Sequence, residues 1–250
     1  MRVYKERDAD IDDTFNTPLL YEYLIRAAIC RLTDLDLDLH VDQFTYLAVN
    51  IINKPLENVS YHGDTSSGKK VLIIGPGFIG WNVLDLLVAE EYSVTGLVRR
   101  KEHADGIAAS GASTLLGDLD DKALITKESG LHDIIVHTAT ADHLPSVEAV
   151  LDGIRMRAFK GQMTIFIHTS GRSVLDDKSN GEYKNEKVYT DETRHDIDTV
   201  PDDAPHREID LAISKVQAEL GEQAKMAIMI PPLIYGCQFV QKGDWDCLAC

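Results

Sequence analysis

The chain is short of cysteine, of positive charge and of long apolar runs, and each shortage excludes something. Its 250 residues hold four cysteines, Cys30, Cys237, Cys247 and Cys250, too few for a disulfide framework. Cys247 and Cys250 make a C-x-x-C pair at the very C-terminus. A frayed tail carrying two thiols is the expectation there, with half a zinc site or a redox pair as the alternative. No metal site is expected elsewhere. Asp34, Asp36 and Asp38 share one strand face by period; a solvated acidic face is the expectation there, with a cation site as the alternative. Lys and Arg number 25 against 41 Asp and Glu, a formal net charge of −16 and a pI near 4.9. A surface that acidic repels phosphate backbones and anionic lipid, which disfavours nucleic-acid and membrane-surface binding. No apolar run approaches the roughly 20 residues that span a bilayer. Residues 1–13 are charged and lack the apolar core of a signal peptide. A cytoplasmic location is the resulting expectation, in which Asn58-Val59-Ser60 matches the glycosylation pattern by chance.

What is present is apolar substance and a regular pattern. Hydrophobic residues make up 44% of the chain, enough for a packed core. The chain divides near residue 69, where His62 to Lys70 (HGDTSSGKK) reads as a linker. Residues 1–69 form an appendage of unclear fold, with a helix expected over Leu19 to Leu32, strand alternation over Leu35 to Val41, and a further apolar segment over Phe44 to Ile52. After the linker, short apolar strands alternate with helical segments. Strands are expected at 71–74, 93–98, 113–116, 133–138, 163–168 and 226–230. Helices are expected at 81–90, 104–110, 123–128, 146–160 and 209–224. That alternation predicts an α/β protein, a doubly wound parallel sheet with helices on both faces and a ligand crevice at the carboxyl ends of the strands. Residues 70–236 form this domain and 237–250 a C-terminal tail.

The first strand runs into Gly75-Pro76-Gly77-Phe78-Ile79-Gly80, a G-x-G-x-x-G loop between a strand and a helix. In that context Gly75 permits the tight turn, Gly77 lets the backbone approach a pyrophosphate, and Gly80 lets helix and strand pack closely. The helix N-terminus then offers free N–H groups and positive dipole to phosphate. This is the pattern of a Rossmann dinucleotide-binding unit, with Phe78 and Ile79 lining it. The second strand ends in Arg99-Arg100, where an acidic residue would favour NAD(H). Two arginines favour a 2′-phosphate and hence NADP(H), with NAD(H) possible; two solvated surface arginines are the alternative. Asp118, beside Leu119 after the third strand, is placed to accept from an adenine amino group or to close a simple Asx turn.

With these pieces in order, Lys70 to Gly236 resembles the extended, atypical short-chain dehydrogenase/reductases of the NAD-dependent epimerase/dehydratase type. The matching stretches are VLIIGPGFIG, GDLDD after strand three, HTATADH after strand four, IHTSG after strand five, and ISKVQAE and IPPLIYG near the end. The resemblance implies that Thr138 and Ala139 line the cofactor, that Ser170 is the active-site serine and that Lys215 is the active-site lysine, also on the nicotinamide ribose. It places Pro231, Pro232 and Leu233 beside the nicotinamide. It implies reduction or oxidation of a small carbonyl or alcohol of aldehyde type.

The chain departs from the family in three places. The family tyrosine, four residues before the lysine, is here Leu211, which has no proton to give. Asp210, His206, Tyr183 and Tyr189 are the ionisable residues available to replace it. The glycine pattern has Ile74 where many extended members carry a further glycine. The family's substrate lobe mostly follows Gly236, and only Cys237 to Cys250 remain, which suggests a truncated or alternatively spliced product. A non-catalytic NADP(H)-binding redox sensor, or a pseudoenzyme fragment, is therefore the alternative to an oxidoreductase. Oligomeric state is left open.

Overall fold

A computed structural model describes residues 68–176 and 198–231, six positions between them, and the backbone of 235–239 and 245–249. The helix, strand and apolar segment expected within residues 1–67 lie outside the described residues, as do Leu233 and Cys250. The described chain begins in effect with β1, Lys70–Ile74, so Lys70 opens a strand and does not belong to the linker.

The order that follows is α1 (Phe78–Ala89), β2 (Ser93–Val98), α2 (Lys101–Ala109), β3 (Ser113–Leu116), α3 (Lys122–Ser129), β4 (Ile134–His137), α4 (Leu144–Phe159) and β5 (Thr164–Thr169). A 3-10 turn, Arg172–Leu175, then precedes α5 (Arg207–Leu220) and β6 (Ala224–Met229). Six strands pair in parallel in the order β3-β2-β1-β4-β5-β6. The chain therefore starts in the middle of the sheet, builds outward to one edge, then crosses to build the other half. The place where the order reverses, between β1 and β4, is where a doubly wound sheet leaves its crevice.

The sheet forms because its central strands are apolar on both faces. Val71 and Ile73 pack with Val83, Leu84 and Leu87 of α1 and with Ile107 of α2. Leu72 and Ile74, one residue out of phase, pack with Ile125 of α3, Val150 and Ile154 of α4, and Ile213 of α5. The period of two sends alternate residues to opposite layers. Helix ends are set locally: the Asp121 carboxylate accepts from Leu124 N–H at 3.0 Å and caps α3. His143 Nδ1 accepts from Ser146 N–H at 3.2 Å at the start of α4. At the opposite end of the sheet from the crevice, the buried Arg157 guanidinium donates to Asp133 Oδ1 at 2.6 Å, Thr164 Oγ1 at 2.9 Å and the Met163 carbonyl at 3.2 Å. That clamp fixes the C-terminus of α4 against β4 and β5.

The tail is not frayed throughout. Tyr235–Phe239 (β7) and Trp245–Ala249 (β8) pair antiparallel, with Cys237 opposite Cys247. The six-stranded sheet ends at Met229. No helix among the described residues is long and apolar enough to cross a membrane.

Candidate active site

The glycine loop is built by exclusion of side-chain volume. Gly75 has φ +76, and a Cβ there would land on Ala139. A Cβ on Gly80 would collide with Thr138 Oγ1. The same hydroxyl donates to the Gly75 carbonyl at 2.9 Å, and Thr138 N–H donates to the Ile74 carbonyl at 3.0 Å. The end of β4 is thereby sewn to the loop after β1. Gly77 is different. It is exposed, its φ is −91, and a Cβ there would meet nothing nearer than the Gly75 carbonyl oxygen at 4.0 Å. Neither a positive φ nor the neighbouring protein demands glycine at this position. It also caps α1 without any side-chain bond to the first-turn N–H groups, which leaves them available to an anion.

Around this loop the other expected cofactor residues stand at the carboxyl ends of their strands. Phe78 and Ile79 are half-buried in the first turn of α1, Ile79 against the core. Arg99 and Arg100 are exposed after β2, and the Arg100 guanidinium donates to His103 Nε2 at 2.9 Å. Asp118 is exposed after β3, and its Oδ1 accepts from Asp120 N–H at 2.9 Å. The Asx turn is therefore formed, with Oδ2 not engaged in it. Leu119 is half-buried against the core of the α3–α4 layer. Thr138 and Ala139 touch the loop as described, and Pro231 is buried just after β6.

The second half of the crevice lies between β5 and α5. Ser170 is 3% exposed. Its Oγ donates to Asp210 Oδ2 at 3.1 Å, and its N–H donates to the Met229 carbonyl at 2.8 Å. Asp210 is 2% exposed. Burial raises its pKa to about 6, opposed by the Ser170 hydroxyl and by Arg207 and His206. Lys215 is exposed and stands apart from this pair: five residues on from Asp210, it points about 140° away around the helix. Its charge is felt by Glu219, which accepts from Arg155 of α4 at 3.0 Å. Leu211 is half-buried. Tyr183 is exposed, and the Tyr189 ring lies 4.5 Å beneath Lys187 Nζ.

His206 caps α5 with φ +65. Its Nδ1 lies 2.6 Å from Asp142 Oδ1, and its Nε2 lies 2.6 Å from Ser173 Oγ. A Cβ on Gly171 would stand 2.5 Å from that Nε2, so the ring occupies the space a side chain at 171 would take. Below, in register on β4 and β5, are His137 and His168. Burial lowers their pKa to about 4 and about 3, so both are neutral near pH 7. Sequence reasoning named Ser170, Asp210 and His206 but did not find Asp142, Ser173 or Arg207. The available signal was spacing: Ser170 and Ser173 are one turn apart, as are His206 and Asp210. A groove of about 430 Å³ lined in part by Lys122, Leu131, Met156 and Lys160 lies on α3 and α4 and shares no residue with the crevice.

No family model matches the chain. The UDP-glucose 4-epimerase of Thermotoga maritima, solved with UDP-glucose, aligns at TM-score 0.51 and 18% identity over 71% of this chain and 60% of that one. The chain has the Rossmann fold of the NAD-dependent epimerases and short-chain dehydrogenase/reductases. Two curated relatives match the chain in sequence. Oxidase ucsJ of an Acremonium species is 31% identical over 179 residues, 67% of this chain and 51% of that protein. The 4-hydroxy-2-methyl-3-oxo-4-farnesyl-3,4-dihydroquinoline-1-oxide ketoreductase of Stigmatella aurantiaca is 28% identical over 111 residues, 41% of this chain and 33% of that protein. The chain thus spans about half the length of the first relative and a third of the second.

Proposed function

We propose that this chain is an NADP(H)-binding oxidoreductase acting in the cytoplasm on a small carbonyl or alcohol of aldehyde type. One observation carries the reading. Gly75 and Gly80 are glycines because protein fills the space beside them, whereas Gly77 faces open space, so its missing side chain makes room for something outside the chain. A pyrophosphate on the N-terminus of α1 is the ligand that loop is shaped for. The printed activities of the two curated relatives, an oxidase and a ketoreductase, support the same class.

In this reading the Gly77, Phe78 and Ile79 backbone holds the pyrophosphate. Arg99 and Arg100 take the 2′-phosphate, which favours NADP(H) over NAD(H). Asp118 Oδ2 accepts from the adenine amino group. Thr138 and Ala139 wall the dinucleotide, and Pro231 and Leu233 lie beside the nicotinamide. The bound dinucleotide supplies or accepts hydride at the substrate carbon. Ser170, bonded to Asp210, forms the polar floor beneath the substrate oxygen, and Lys215 contributes a cationic contact to the ribose. Leu211 in the tyrosine position favours a second reading, a non-catalytic NADP(H) sensor.

Calorimetry and thermal melting with NADPH and NADH, on the wild type and on Gly77→Asp, test the binding claim. NADPH at a hundred times its Kd contributes about 2.7 kcal/mol, which raises Tm by roughly 5–10 °C for a chain of this size. Gly77→Asp is expected to melt like the wild type without ligand and to lose that shift. An undiminished shift in the variant places the dinucleotide elsewhere and overturns the reading. NADPH binding without turnover across aldehydes and ketones selects the sensor.

A further inference from the structure

The crevice holds two serine–acid chains that differ in exposure. Ser170 and Asp210 are 3% and 2% exposed, so their hydroxyl and carboxyl are bonded to each other away from water. The second chain is Ser173, His206 and Asp142, with both links at 2.6 Å. Its members come from the connections after β4 and β5 and from the start of α5, all at the carboxyl ends of the strands. The His206 side chain is 14% exposed and that of Asp142 70% exposed, so the chain opens to water at its carboxylate end.

The local structure gives up ease of folding to hold this ring. His206 adopts φ +65, a left-handed conformation that is uncommon outside glycine and persists where its surroundings over-determine it. Gly171 must be glycine for the imidazole to stand where it does, since its Cβ would lie 2.5 Å from Nε2. That places the ring over the residue that follows Ser170. A base on a hydroxyl, itself oriented by a carboxylate, is the arrangement that moves protons at a reacting oxygen.

We propose that Asp142, His206 and Ser173 are the proton-donating site of the carbonyl chemistry, with His206 in the role that Leu211 leaves vacant. The proposal rests on the oxidoreductase reading above. In the reducing direction the substrate carbonyl carbon gains the hydride while its oxygen gains a proton. Ser173 Oγ gives its proton to that oxygen and takes one from His206 Nε2. The imidazolium becomes neutral imidazole and is reprotonated from water. Asp142 stays ionised and holds Nδ1–H. The sum is one hydride from the reduced dinucleotide and one proton from solvent added across C=O, giving the alcohol and the oxidised dinucleotide. Asp142 on the β4 connection bonds the ring directly, and Asp210 on α5 and His168 on β5 lie within its electrostatic reach.

The first test uses the full chain without dinucleotide. Imidazole ¹⁵N spectra are expected to show Nδ1 protonated in the neutral ring. Asp142→Asn is expected to remove that tautomer preference, because the carboxylate that holds Nδ1–H at 2.6 Å is gone. An unchanged tautomer in the variant overturns the relay. The second test follows NADPH oxidation with methylglyoxal, 4-nitrobenzaldehyde and 9,10-phenanthrenequinone. His206→Asn, chosen because Asn accepts the left-handed backbone, is expected to lower kcat by about 100-fold or more. KM for NADPH should stay within about twofold. Full kcat in His206→Asn overturns the proposal and leaves the oxidoreductase reading standing. No oxidation by the wild type with any of the three overturns that reading and this proposal with it. If His206→Asn does not fold, Ser173→Ala and Asp142→Asn carry the same expectations of lowered kcat at constant NADPH affinity.

Discussion

The loop after β1 and the cluster between β5 and α5 sit at the same end of the sheet but are made by opposite means. The first is made of backbone and missing side chains: Gly75, Gly77 and Gly80 within six residues, sealed by Thr138. The second is made of polar side chains drawn from distant parts of the chain. Asp142 and His206 are 64 residues apart, and Ser170 and Asp210 are 40 apart. In the first half Gly75 and Gly80 admit no side chain while Gly77 does, and the loop carries no ionisable group. The second buries several groups that titrate, and its integrity depends on pH. Nucleotide recognition can be encoded locally, whereas a proton site needs groups whose environments only the folded chain supplies.

The largest effect expected to expose this difference is acid sensitivity. His168 is buried with neither ring nitrogen bonded among the described residues, and its pKa is lowered to about 3 by burial. The unfolded chain therefore binds a proton near pH 6.5 that the folded chain refuses. Stability from this group is intact above that pH and is lost as pH falls from 6.5 toward 3, on the order of 2–3 kcal/mol by pH 4. His168→Leu should remove that part of the acid loss in denaturant melts at pH 7 and pH 4. Asp210 has the opposite sign, since its raised pKa favours the protonated folded state and weakens stability as pH rises from about 4 to 6. An acid loss as large in His168→Leu as in the wild type would show that acid sensitivity does not reside in this half.

The next effect separates the glycines from one another. Gly80→Ala should destabilise by roughly 1–3 kcal/mol through overpacking against Thr138. Gly77→Ala should change stability by less than about 0.5 kcal/mol, as open surface positions do, while weakening NADPH binding. Equal destabilisation by the two variants would erase the distinction on which the dinucleotide reading stands. A further effect is confined to one helix end. Asp121→Ala removes the cap of α3 and should cost about 1 kcal/mol in thermal melting.

How much was legible follows the same division. All six strands of the parallel sheet were readable because each is a short apolar run whose period and flanking turns are local. The strand at 93–98 and the one at 113–116 lie where the sequence pattern put them. Helix starts were read late: α1 begins at Phe78 and not at Trp81, because the first turn follows a glycine and has no side-chain cap to mark it. The tail misled for a related reason. Nothing in residues 235–249 alternates cleanly, yet they pair across a short connection. At the site, the glycine loop and Thr138 were legible as motif. Asp118 was legible only as an alternative between ligand and turn, and the turn is formed. Ser173 was passed over beside Ser170 because a single strand-end serine cannot be told from its neighbour until the helix across from it is in place.

The sequence by itself determined the parallel sheet, the place of its crevice and the glycine loop, since hydrophobic period and absence of side chains act over a few residues. Only the tertiary structure decided which serine is bonded to Asp210 and which to His206, that Lys215 points away from Asp210, and that His206 stands between Asp142 and Ser173. Those outcomes depend on how α5 is rotated against β5 and on how two loops meet, and burial and hydrogen bonding between residues so far apart exist only once the sheet has closed over its core.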